Sequence, residues 1–163
     1  MEVQIRPARR SDMANWLRLR RALWPGHDED DWTREMLSML ARRHRRAVFV
    51  AVAQHSVVGF LEASLRDYAD GCATSPVGYI EGWYVEPQYR RTGVGRALVA
   101  AAERWAMQKG CTEMASDALL ENSLSHQAHR ALGYEEVERA VRFRKSLGRP
   151  VPNKESLRGR AGG

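Results

Sequence analysis

The chain has 163 residues, 44% of them hydrophobic and 28% charged, which suits one domain with a real core and excludes a wholly disordered chain. Net charge is +6, but residues 149–163 carry Arg149, Lys154, Arg158 and Arg160 against Glu155, so +3 belongs to that stretch and the body is only mildly basic. There is no apolar run of membrane-spanning length, and residues 1–6 lack the apolar core of a secretion signal; a cytoplasmic protein without membrane contact is expected. Cys72 and Cys111 are too few for a disulfide framework and lack zinc-site spacing, so they read as reduced thiols and no metal is expected.

In chain order, residues 3–6 suit a short strand, and Ser11 suits the N-cap of a helix running to Leu23, with Met13, Trp16, Leu17 and Leu19 on its apolar side. Pro25 and Gly26 break that helix, and a loop follows that combines Trp24, His27 and four consecutive acids, Asp28 to Asp31. A second helix is expected over 32–43. The run Arg42-Arg43-His44-Arg45-Arg46 reads as a solvated helix end, not a nucleic-acid site. Residues 47–53 and 57–65 are apolar strands joined by Gln54-His-Ser56, a hairpin, and 66–76 form a long loop of the kind that is often functional.

The next stretch organises the rest. A strand from Tyr79 is stopped by Pro87, and Arg90, Arg91, Gly93, Gly95 and Arg96 lie where a helix begins. Two glycines let successive backbone N–H groups face one ligand, and the unpaired donors of a helix N-terminus favour negative charge. The arginines add mobile positive charge, which makes the segment an anion cradle. It is not a Walker A loop, which needs Gly-Lys-Ser/Thr, nor the three-glycine dinucleotide fingerprint. The helix then repeats Val94, Ala97, Leu98, Ala101, Ala102 and Trp105 at helical spacing and ends near Lys109 and Gly110. A strand is expected over 112–117, a helix over 123–132, and a strand pair or one long bent strand over 134–145. Residues 1–147 read as one domain and 148–163 as a disordered basic tail.

Arg90-x-x-Gly93-x-Gly95 resembles the pyrophosphate motif of the GNAT superfamily of N-acetyltransferases. The resemblance implies an α/β (α+β) fold, a mixed central sheet with helices on both faces, and acetyl-CoA as co-substrate. Leu23-Trp-Pro-Gly-His27, Gly71-Cys72, Ser75-Pro76, Glu81-Gly82, Lys109-Gly-Cys111, Glu113-Met-Ala-Ser-Asp117, Glu121-Asn122 and Ala131-Leu-Gly-Tyr134 with Glu138 go further. Together they resemble the aminoglycoside 6'-N-acetyltransferases over nearly all of residues 3–147. That resemblance implies an aminoglycoside site at Trp24, His27, Tyr68, Glu81, Asp117 and Glu138. It implies a pantetheine site on the backbone of Trp83, Tyr84 and Val85, a pyrophosphate site at Arg90, Arg91, Thr92, Gly93, Val94, Gly95 and Arg96, and a further cofactor contact at Asn122. It also implies a homodimer and no nucleic-acid partner.

Aminoglycosides are polycations, so a carboxylate-lined site is the physical expectation. An attacking ammonium must first lose a proton, and Glu81 and Asp117 are the candidate bases; both could instead only position the amine. A backbone N–H near Val85 would polarise the thioester carbonyl. Many GNAT enzymes have a tyrosine four residues before the glycine of Leu-Gly-aromatic, where this chain has His129. His129 and Tyr134 are therefore the two candidates for the acid that protonates the thiolate. The competing readings are a general small-amine, polyamine or protein N-acetyltransferase, and a non-enzymatic regulatory or nucleic-acid-binding module.

Overall fold

A computed structural model describes residues 2–26 and 29–148. Its elements are β1 (Gln4–Pro7), α1 (Met13–Leu23), α2 (Glu29–Ala41), β2 (Arg46–Ala53), β3 (Ser56–Arg66), β4 (Val77–Val85), α3 (Val94–Gln108), β5 (Met114–Ser116) and α4 (Ser123–Ala131). The strands form one sheet in the order β1-β2-β3-β4-β5, antiparallel up to β4 and parallel between β4 and β5. This is the expected mixed sheet, and helices pack on both of its faces.

Each face has its own core. On one side α1 and α2 bury Trp16, Leu19 and Met36 against Val50 and Phe60. On the other, α3 buries Leu98, Val99 and Ala102 against Leu61 and Ile80. Burial on both faces explains why β2 and β3 read as near-continuous apolar runs. The polar residues inside β3, Glu62 and Ser64, are themselves buried, and they mark the edge of the first core.

Four sequence expectations need correction. Ser11 lies in a 3-10 turn, Arg10–Asp12, and does not cap α1. Asp12 ties the entry instead: it accepts from Arg9 N at 2.7 Å and from both Arg6 Nη atoms at 2.7 and 2.8 Å, and the Arg6 guanidinium holds its carboxyl below the usual range. The second helix starts earlier than expected, at Glu29, and ends at Ala41. Residues 134–147 form no strand. Alternating apolar residues need a neighbouring strand, and among the described residues none is offered to this segment; Val137, Val141, Phe143 and Leu147 are left exposed. The hairpin also turns more tightly than three residues: Gln54 and His55 alone bridge Ala53 and Ser56, both with positive φ, as the twist of a two-residue turn demands.

Candidate active site

The site is built around a fault in β4. In the β3/β4 ladder Glu62 pairs with Gly82 and Ala63 with Ile80, so Glu81 is an extra residue, a β-bulge. Side chains alternate along a strand, and the extra residue shifts the phase. Tyr79 and Glu81 face the α1/α2 side, and after the bulge so do Gly82 and Tyr84, while Trp83 and Val85 turn to α3. Beyond the bulge β4 also leaves β5, because the parallel ladder covers only Gly78–Ile80. The backbone from Glu81 to Val85 therefore keeps one unpaired edge among the described residues.

On the α1/α2 side a cavity of about 810 Å³ is lined by Trp24, Trp32, Glu35, Glu62, Arg66 and Glu81, among others, a size suited to a small molecule. Trp24 lies directly over Gly82, whose missing Cβ makes room for the indole. Behind it, Arg20 is held between the rings of Trp24 and Trp32, at 5.2 and 5.1 Å. Its Nη2 donates to Glu35 Oε2 at 2.9 Å and to Glu62 Oε2 at 3.2 Å. Glu62 also accepts from Trp16 Nε1 at 2.8 Å. Burial pushes the Glu62 carboxyl up to about 7, against the pull of Arg20.

Glu81 is at the cavity wall and already accepts three hydrogen bonds. Oε1 accepts from Ser64 Oγ at 2.5 Å and Arg66 Nε at 3.0 Å, and Oε2 accepts from Arg66 Nη2 at 2.7 Å. The Arg66 guanidinium lies 3.4 Å from the Tyr79 ring centroid. The Tyr79 hydroxyl in turn donates to Asp117 Oδ1 at 2.8 Å. Burial and this bond push the Tyr79 phenol well up, so it stays protonated. Asp117, just past β5, also lies 3.6 Å from Arg142. Glu81 and Asp117 are thus joined through Arg66 and Tyr79, although Asp117 is outside the described cavity lining.

The remaining expected acceptor residues divide. Tyr68 is exposed, donates to Asp70 Oδ1 at 2.8 Å, and has Glu138 close enough to help raise its pKa, after Asp70; neither Tyr68 nor Glu138 is part of the cavity wall. His27 lies outside the described residues.

On the α3 side lies the turn expected to act as an anion cradle. Gly93 sits at the N-cap with φ 89° and Arg91 precedes it with φ 61°. No side chain caps α3, so the first-turn N–H groups are left for a ligand. A Cβ at Gly95 would lie 2.8 Å from the Trp83 ring, and Trp83 Nε1 is a buried donor with no partner. An unpaired strand edge followed in the chain by a helix start that no side chain caps fits the pantetheine and pyrophosphate of acetyl-CoA. Two expected contacts are otherwise occupied: Arg90 Nε donates to Val85 O at 2.8 Å, and Asn122 caps α4 by accepting from Ser125 N at 3.0 Å. Thr92 Oγ1 donates to Tyr89 O at 2.6 Å, Arg96 reaches Ala131 O at 3.4 Å, and Val94 is buried.

Both candidate acids hold their protons inside the fold. His129 Nδ1 donates to Ser125 O at 2.7 Å, and Nε2 is hydrogen-bonded with Ser116 Oγ at 2.8 Å. Its ring meets Trp83 and Tyr134 edge-on. Tyr134 donates to Glu103 on α3 at 3.0 Å, and burial with that carboxylate raises its pKa strongly.

Sequence reading missed Ser64, Arg66, Tyr79 and the Arg20–Glu62 pair. A signal existed in the polar residues Glu62, Ser64 and Arg66 at every second place of an otherwise apolar strand. The 42–46 run follows the end of α2 with residues 42–45 exposed, as expected of a solvated helix end, and Arg42, His44, Arg45 and Arg46 also line the cavity.

The family model described as Acetyltransferase (GNAT) family matches residues 12–134, and the chain belongs to that family. It is 47% identical over 144 residues to Aminoglycoside N(6')-acetyltransferase type 1 of Stenotrophomonas maltophilia, covering 88% of this chain and 93% of that one. The enzyme of the same name from Acinetobacter baumannii is 44% identical over 147 residues, with 90% and 100% covered. The solved structure of AAC(6')-Iy in complex with the bisubstrate analog CoA-S-monomethyl-acetylneamine superimposes with a TM-score of 0.85 at 40% identity, covering 90% of this chain and 100% of that one.

Proposed function

We infer that this chain is an aminoglycoside 6'-N-acetyltransferase that moves acetyl from acetyl-CoA to the 6'-amine and so confers antibiotic resistance. The observation that carries this is the bulge at Glu81, which sets a carboxylate on the wall of a cavity of small-molecule size, where β4 parts from β5. Acetyl-CoA supplies the activated acetyl group as a thioester. The chain's residues do the rest. Gly93, Gly95 and the first turn of α3, with Arg91 and Arg96, hold pyrophosphate, and the Trp83–Val85 edge aligns the pantetheine arm, with a backbone N–H near Val85 on the acetyl oxygen.

Trp24 covers the acceptor sugar while Glu81 and Asp117 orient its amine, which reacts as the free base after giving a proton to solvent. The nitrogen lone pair forms the C–N bond as the C–S pair passes to sulphur, and the proton shed by nitrogen ends on the thiolate or in solvent. Both ring nitrogens of His129 and the Tyr134 hydroxyl are hydrogen-bonded within the fold, which favours solvent. The enzyme works in the cytoplasm, where its acyl donor is made, and as a homodimer. The exposed apolar residues of 137–147 and the three-residue edge strand β5 support that assembly.

Calorimetry with acetyl-CoA, followed by turnover of kanamycin or tobramycin with product regiochemistry, tests the assignment. Acetylation at the 6' nitrogen is expected. Cofactor binding without aminoglycoside turnover would leave a different amine as the acceptor.

A further inference from the structure

The carboxylate expected to receive a cationic substrate already holds a cation. Arg66 grips Glu81 through two nitrogens, and Ser64 takes a third position. A carboxylate offers about four acceptor sites, so one remains, on Oε2. The guanidinium cannot drift easily, since it is stacked on Tyr79 at 3.4 Å as well as paired. The Arg66 pKa is raised further by its bond to Glu81, so its charge is permanent.

We propose that Arg66 is a positioning residue that, acting through Glu81, sets the protonation state of the acceptor amine. A bare carboxylate beside an amine stabilises the ammonium form and raises its pKa, and ammonium has no lone pair for attack. A carboxylate neutralised in advance by Arg66 can still accept one N–H of the amine, yet it gives the ammonium form little advantage. The pair thus separates orientation of the nitrogen from stabilisation of its charge. This rests on the aminoglycoside assignment above.

Other charged groups lie around the pair. Tyr79 faces it from β4 and stays neutral, and Asp117 lies beyond that phenol beside Arg142. Arg46 from β2, with Arg42, His44 and Arg45, faces the same cavity. Glu35 from α2 and Glu62 from β3 are tied to Arg20 of α1. Of these, Glu62 titrates near neutrality, so the measurement must be a difference between variants and not a single profile.

The test is the pH dependence of single-turnover acetyl transfer to kanamycin, with KM, in wild type, Arg66→Met and Arg66→Lys. Losing the positive charge should lower KM for the polycation, shift the rising limb of the rate by about one pH unit toward alkali and reduce the rate at neutral pH about tenfold, with recovery in base. Arg66→Lys, which keeps the charge, should retain most of the wild-type profile. Calorimetry with acetyl-CoA checks that each variant is folded. Raised KM with an unmoved profile would mean that Arg66 only supports Glu81 sterically, and would overturn the proposal. Absence of aminoglycoside turnover in wild type would instead overturn the assignment on which it rests.

Discussion

Gly82 leaves the space that the Trp24 indole fills: a Cβ built there would overlap Cη2 and lie 2.7 Å from Cζ2. The ring is wedged further by Trp32 and Phe60, each with centroid 6.3 Å away, so it has little room to yield. Gly82→Ala should therefore cost about 1–3 kcal/mol of stability through overpacking. It should also raise KM for the aminoglycoside while leaving acetyl-CoA affinity near wild type. Thermal melts and calorimetry on the same variant separate the two effects.

Gly95 has the matching relation to Trp83 on the cofactor side, at 2.8 Å from Cζ2. Gly95→Ala would push the indole toward the groove and place a methyl beside the pyrophosphate. Weaker acetyl-CoA binding by about tenfold is expected, since about 1.4 kcal/mol lies within the usual cost of such crowding. An unchanged calorimetric Kd would show that the groove runs elsewhere.

Stability should fall as pH rises because of Glu62. Its carboxyl, ordinarily near 4.5, is held up to about 7 in the fold. Below the lower value both folded and unfolded chains are protonated and the group is silent. Between the two values the unfolded chain gives up its proton first, so unfolding is favoured progressively, by on the order of 3 kcal/mol in total. Above the higher value both are ionised and the loss is complete. Glu62→Gln should flatten this part of the Tm-versus-pH curve, and an identical slope in the variant would rule Glu62 out as its source.

His129→Gln should keep most of the transfer rate. The imidazole Nδ1 proton is committed to Ser125 O and Nε2 to Ser116, so the side chain serves packing between Trp83 and Tyr134. A lost general acid costs about a hundredfold or more; single-turnover rates at that level would restore His129 to the chemistry.

Residues 137–147 should matter for assembly. Val141→Ser with Phe143→Ser removes two exposed apolar side chains, 71% and 93% accessible. In sedimentation velocity the wild type should be a dimer and the double variant a monomer with an unchanged circular dichroism spectrum.

Most of the fold and the form of the turn before α3 were readable in the sequence, because their signals are local. Gly93, Gly95 and Arg91 sit within five residues, and positive φ at Arg91 and Gly93 shapes the turn. The acceptor half was only partly readable. Glu81 and Asp117 could be named, but their partners come from across the sheet: Arg66 is 15 residues from Glu81, and Tyr79 is 38 from Asp117. Strand register makes those pairs, and register depends on a bulge that leaves no mark in composition. The segment after Gly133 misled for a related reason, since alternation records a strand's preference and says nothing of whether its own chain supplies a neighbour.

The bulge has a consequence for how this chain tolerates change in length. β4 is in effect two strands of opposite phase joined at Glu81. Deleting that residue would restore regular alternation. Ile80 would still lie opposite Ala63 and Gly82 opposite Glu62, with Trp83 and Val85 toward α3 and Gly82 under Trp24, so the walls on both faces would stay and only the carboxylate would be lost. Glu81 is thus an insertion carried by an otherwise regular ladder, and its removal takes away a functional group without moving its neighbours.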